Sequence, residues 1–80
     1  MKITKLSTPF IFPADANLDI QEFTATCYCD IDFTQELYQA IRHAFYTEMH
    51  WRDWIDFGLF SDRIWFKTEE QMNWFLLRFA

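Results

Sequence analysis

The chain has 80 residues, 51% of them hydrophobic and 24% charged, with a formal net charge of −5. That composition fits a single globular domain over residues 1–80 and is far from that of a disordered chain. Its seven scattered Lys and Arg argue against nucleic acid, which needs clustered cations at phosphates, and no apolar run approaches the ~20 residues of a membrane span.

Met1-Lys2-Ile3-Thr4-Lys5 lacks the continuous apolar stretch of a signal peptide, so the cytoplasm is the expected compartment. Residues 1–22 read as an irregular N-terminal arm, with Ile3 to Leu6 available as a short added strand. Pro9 and Pro13 bracket Phe10-Ile11-Phe12, and each favours an extended residue before it. The arm is therefore expected to lay Phe10 and Phe12 on the body. Asp15-Ala16-Asn17-Leu18-Asp19 imitates the opening of a calcium loop. Its sixth position is Ile20 rather than Gly and its twelfth is Thr26 rather than Glu, which removes the sharp turn and the bidentate ligand.

Phe23 to Ile31 alternates. Phe23, Ala25, Cys27, Cys29 and Ile31 fall on one face, and Thr24, Thr26, Tyr28 and Asp30 on the other, which predicts a strand with one buried face. A helix follows. Thr34 can cap it, with Asp32 and Gln35 as a competing box, and Phe33 with Tyr38 has the spacing of a hydrophobic staple. Leu37, Ile41, Ala44 and Phe45 form its apolar stripe, and it is expected to end near His50. Arg42, His43, Tyr46 and His50 project to the other side.

Trp54 to Lys67 predicts a hairpin turning at Ser61-Asp62, although the absence of Gly there leaves a longer loop with shifted register open. In the two-residue reading Phe60 opposes Arg63, Leu59 opposes Ile64, Gly58 opposes Trp65 and Phe57 opposes Phe66. Ile55, Phe57, Leu59, Ile64 and Phe66 then share one face. The other carries an Asp56–Lys67 charge pair and Trp65 covering Gly58. Thr68 and Gln71 form a capping box for a last helix with the stripe Met72, Phe75, Leu76 and Phe79, while Trp74 and Arg78 point away from it. The order β-α-β-β-α predicts an α+β two-layer sandwich, a three-stranded antiparallel sheet with both helices on one face.

Seventeen residues are aromatic: ten Phe, four Trp and three Tyr. An aromatic side chain buries about 150–250 Å², and a domain of this size hides only roughly 60–65% of its unfolded surface. Some rings are therefore expected on a face meant for a partner. The sheet face without helices would present Tyr28, Trp54, Phe60, Arg63 and Trp65, the residue types that dominate binding hot spots. In the alternative, residues 1–22 fold across that face and bury its rings. If the face is open, exchange of Trp65 for Ala leaves the fold intact and removes binding. No Lys or Arg occurs between Lys5 and Arg42, a stretch holding Asp15, Asp19, Glu22, Asp30, Asp32 and Glu36. These acids make either a solvated face or a patch for a basic protein surface. Base stacking on the aromatic face is disfavoured by the missing basic funnel.

Cys27 and Cys29 are two apart on one strand face. Such neighbours do not meet the geometry of an unstrained disulfide, so they read as buried reduced thiols. A metal or enzyme site would have to join them to His43 and His50, the only histidines, and no second Cys pair exists to complete a zinc set. The two histidines, seven apart, do not make the His-Glu-x-x-His pattern. No catalytic residue, metal or cofactor is assigned.

The stretch from Arg63 to Phe79, about a fifth of the chain, has a strand closing in Phe66-Lys67, a capped helix, and the finish Phe75-Leu76-Leu77-Arg78-Phe79. It resembles the ending of small accessory proteins of tailed phages. The resemblance implies a phage accessory protein, often a small acidic binder of host machinery, and brings no catalytic residue. The expected function is non-enzymatic: binding and modulating a host protein in the host cytoplasm, through the aromatic sheet face and the acidic patch. The alternatives are a structural homo-oligomer, such as a homodimer, packing sheet on sheet, and a metal-binding protein or enzyme built on His43, His50, Cys27 and Cys29.

Overall fold

The computed structural model describes residues 2–18, 21–60 and 62–79, the side chains of Leu18 and Phe60 excepted. The chain runs through β1 (Lys2–Phe12), a 3-10 turn (Ala16–Leu18), β2 (Phe23–Asp30), α1 (Gln35–Thr47), β3 (Phe57–Phe60), β4 (Arg63–Phe66) and α2 (Glu69–Phe79). The fold is α+β, and among the described residues the three strand pairs of the sheet are antiparallel. The sheet has four strands in the order β1-β2-β4-β3, which corrects the three-stranded expectation. The N-terminal arm is not irregular. Its extended Lys2–Phe12 segment makes an 11-residue edge strand along β2.

β1 carries an interruption that decides how the second sheet face is filled. Pairing runs from Lys2 opposite Asp30 to Lys5 opposite Cys27, then resumes with Phe10 opposite Ala25 and closes with Phe12 opposite Phe23. Residues 6–9 of β1 thus stand against Thr26 alone. Pro9, which has no N–H to give a ladder, sits inside this gap. A bulge sharpens twist and re-aims side chains, and the consequence is seen in β2. Phe23, Ala25, Cys27 and Cys29 are all buried, as their alternation predicts, but they feed two clusters rather than one. Cys27 and Cys29 join Ile41, Phe45, Trp51, Phe57, Ile64, Phe66, Met72 and Phe75 beneath the helices. Phe23 and Ala25 join Trp65, with Leu6, Phe12, Tyr28 and Trp54 packed against them. Trp65 lies between Ile64 and Phe66 in β4, so this second cluster occupies the face opposite the helices. The two-layer expectation is corrected accordingly: a thin cover from the far half of β1 and from Trp54 lies over the second face.

Both helices start as their sequences dictate. Thr34 caps α1, its hydroxyl accepting the Leu37 N–H at 3.1 Å, and the Phe33 and Tyr38 rings meet at 5.6 Å. α1 ends at Thr47, short of His50, whose φ of 57° belongs to the left-handed region. At α2 the Thr68 N–H donates to Gln71 Oε1 at 3.1 Å and the Gln71 N–H returns to Thr68 Oγ1 at 3.2 Å, a reciprocal capping box. Trp74 does not point away from the core. It packs on Trp51 at 5.3 Å and on Phe45 at 6.2 Å, because the chain after α1 brings Trp51 under α2.

The hairpin has the expected register through all four pairs from Phe57–Phe66 to Phe60–Arg63; Ser61, half of its turn, lies outside the described residues. Two details differ. Trp54, with a φ of 59°, rather than Trp65, covers Gly58, where a Cβ would stand 2.8 Å from Trp54 Cζ3. The Asp56 carboxylate takes the Arg52 N–H at 2.9 Å. Lys67 reaches Asp56 only backbone to backbone, at 3.4 Å, so the expected charge pair is not formed.

Candidate protein-binding surface

Register alone brings four of the sequence-designated residues together. β2 and β4 pair Tyr28 with Trp65 and Asp30 with Arg63. Arg63 Nε donates to Asp30 Oδ1 at 2.6 Å. Its guanidinium lies 4.3 Å from the centre of the Tyr28 ring and 5.7 Å from that of Trp65, and those two rings are 4.7 Å apart. The bond to Asp30 is the main reason the Arg63 pKa rises above its ordinary value, so the group stays charged. Tyr28, Asp30 and Arg63 are each partly exposed. An ion pair with this exposure is screened by solvent, and an exposed cation–π contact is weak. The ladder therefore adds little to stability. What it does is hold an Arg and a Tyr in fixed positions at the surface. Among the described residues the only side-chain hydrogen bond of Arg63 is through Nε, so its terminal nitrogens keep their donors for an incoming acceptor.

The remaining designated residues are placed differently. Trp65 is 7% exposed, covered by Phe10 at 5.5 Å and Phe12 at 5.0 Å. The open aromatic face is thus corrected: the end of β1 lies over it. Trp54 is partly buried beside Phe12 and Phe23. The side chain of Phe60 and the whole of Asp19 lie outside the described residues. Asp15 accepts the Asn17 N–H at 3.0 Å, and Glu22 is exposed just before β2. Asp30 closes β2 seven residues after Phe23, about 23 Å away at strand rise. The acidic run is consequently split between the two ends of β2 and is not one patch beside the rings.

The apolar exposure that sequence reasoning missed lies on β1 and α2. Ile3, Phe10 and Ile11 are 44%, 48% and 57% exposed, and Leu77 is 88% exposed. Leu77 borders a shallow cleft of about 450 Å³ with Met49, Trp51 and Trp74. The signal for β1 was present in Phe10-Ile11-Phe12, since adjacent apolar residues in an extended segment cannot all face inward.

Cys27 and Cys29 are free and buried. Burial pushes the Cys29 thiol up to about 11 and the Cys27 thiol upward as well, so neither supplies a thiolate near neutral pH. His43 and His50 are exposed, whereas both thiols are buried. Among the described residues no group of three or more His, Cys, Asp and Glu is placed to hold a metal. Arg42 donates to Tyr38 Oη at 3.0 Å, Tyr46 Oη at 2.6 Å and Asp53 Oδ2 at 3.1 Å, tying α1 to the loop before β3. Among the described residues no helix is long and apolar enough to cross a membrane. Comparison with protein-family models, with curated proteins and with solved structures finds no match for the chain.

Proposed function

We propose that this chain is a non-enzymatic binding protein, a phage accessory factor that engages and modulates a protein of the bacterial host. The observation that carries the reading is the Arg63 ladder: a guanidinium pinned by Asp30 and laid on Tyr28, with all three residues partly exposed. Arg and Tyr dominate interface hot spots because they combine large contact area with directed donors. Holding them in place before contact lowers the ordering cost of association. The partner would offer a carboxylate or carbonyl acceptor to Arg63 and apolar surface to Tyr28. The net charge of −5 favours a target that is basic around that contact and speeds encounter with it. The buried, high-pKa thiols favour binding over nucleophilic chemistry, and the resemblance of residues 63–79 to phage accessory proteins supports the host setting.

The test is affinity capture from host-cell lysate with the wild type and with Arg63→Ala and Tyr28→Ala variants that keep the native circular dichroism. The reading expects one host protein retained by the wild type and lost at least tenfold by both variants. Equal capture by all three would place the contact elsewhere.

A further inference from the structure

We propose that the outer edge of β1 joins two copies of this chain, paired antiparallel about a two-fold axis at Ser7 into one continuous sheet. β1 is an edge strand of 11 residues, paired with β2 on one side only among the described residues. A strand edge of that length is a template for another strand. Three of the molecule's exposed large hydrophobic residues, Ile3, Phe10 and Ile11, lie on it. The sheet-on-sheet dimer expected from the sequence needs an uncovered second face, and the far half of β1 occupies that face over Trp65. The edge remains.

Charge selects the partner and its direction. Lys2, at the start of β1, is exposed and has no ion pair among the described residues; Lys5 nearby is exposed and tied to Glu69 at 2.7 Å. Past the other end of β1 lie Asp15 and, one residue beyond the Phe12–Phe23 pair, Glu22. Antiparallel pairing brings the basic end of each copy to the acidic end of the other, twice over by symmetry, whereas parallel pairing sets like ends together. With the axis at Ser7, the middle of β1, Ile3 of one copy faces Ile11 of the other and Lys2 faces Phe12, next to Asp15 and Glu22. Pro9 removes one ladder donor near the centre, so the contact consists of two short ladders. It falls at the small end of specific interfaces, and association is expected at about 100 µM protein rather than at nanomolar levels.

The experiment combines sedimentation velocity with a cross-link. Wild-type protein at about 100 µM should sediment as a dimer, at twice 9.8 kDa. Ile11→Lys should shift it to monomer with unchanged circular dichroism. Lys2→Glu should weaken the dimer several-fold, and Lys2→Glu combined with Asp15→Lys should restore it. Residues directly opposed in antiparallel strands have Cβ atoms about 4.5–5.5 Å apart, close enough for a disulfide after small adjustment. Ser7→Cys should therefore form an intermolecular disulfide on mild oxidation, while Glu36→Cys on α1 should not. The native thiols, being buried, do not compete. A wild-type monomer at that concentration overturns the proposal, as does a dimer that survives Ile11→Lys or fails to cross-link through Ser7→Cys. Should Ile11→Lys not fold, the cross-link and the charge reversal decide alone.

Discussion

Trp65 is held by rings on three sides, Phe10, Phe12 and Tyr28, yet its Nε1 is buried without a hydrogen-bond partner. The two facts give different costs for different substitutions. Trp65→Ala empties the centre of the second cluster and should lose about 3–5 kcal/mol, enough to unfold much of a marginal domain. Trp65→Phe keeps most of the ring contact and removes a buried N–H whose lack of a partner costs about 1–3 kcal/mol. Urea denaturation should place Trp65→Phe well above Trp65→Ala, with Arg63→Ala close to the wild type. The expectation that Trp65→Ala leaves the fold intact does not survive the burial of that residue. The rings themselves were legible in the sequence. Their cover by residues 1–22 was legible as one of two alternatives, but its form was not, because it depends on a bulge at residues 6–9 and on the left-handed Trp54, neither of which has a periodic signature. Cys29 offers a second test at this scale. Its thiol ionises near 9.0 in an unfolded chain and near 11 when buried here. Between those values the unfolded state releases its proton first, so stability is intact below pH 9 and falls as pH rises toward 11. The urea midpoint of the wild type should drop across that window. Cys29→Ala should show a smaller drop, with the buried Cys27 thiol, also raised, supplying part of what remains; an identical drop would mean that Cys29 ionisation contributes nothing to it.

The helix starts are the elements whose chemistry is written locally. A Thr hydroxyl that takes an orphan N–H contributes roughly 1 kcal/mol, within a range of about 0.5–2 kcal/mol. Thr68→Ala breaks one side of the reciprocal box and strands the Gln71 amide, so it should cost an amount in the upper half of that range. Thr34→Ala should cost less, since Thr34 makes a single capping bond to Leu37 where Thr68 takes part in a reciprocal pair. The two caps belong to different helices with no shared partner, so the double variant should lose the sum; a clear excess would mean that the helix starts are coupled through the sheet. The same locality explains why the hairpin register was readable in advance, down to each of its four pairs. Cross-strand partners sit within a dozen residues of one another and their side chains declare the faces. β1 was not readable in that way. Its partner β2 lies beyond a loop, Pro9 interrupts its pattern, and polar Ser7 and Thr8 occupy the stretch where alternation would have marked a strand.

On the scale of the molecule, two ring clusters share one sheet and neither has a sheet of its own. β4 sends Ile64 and Phe66 to the helix side and Trp65 to the other. β2 divides its buried residues along its length, Phe23 and Ala25 going to one cluster and Cys27 and Cys29 to the other. A domain of 80 residues holds a total stability of about 4–12 kcal/mol, and losing either cluster removes the burial that keeps β2 and β4 paired. The two sides should therefore melt as one unit. The four tryptophans allow this to be measured, because Trp51 and Trp74 report on the helix side while Trp54 and Trp65 pack in the second cluster. With Trp51→Phe and Trp74→Phe combined, fluorescence follows the second cluster; with Trp54→Phe and Trp65→Phe combined, it follows the first. In each variant the fluorescence midpoint in urea should coincide with the midpoint from far-ultraviolet circular dichroism. If the second cluster instead lost its signal at lower urea than the helices, the cover formed by β1 would be a separately opening flap. Trp65 would then become available to a partner in that opened state, and the contact surface would include the rings that the closed fold hides.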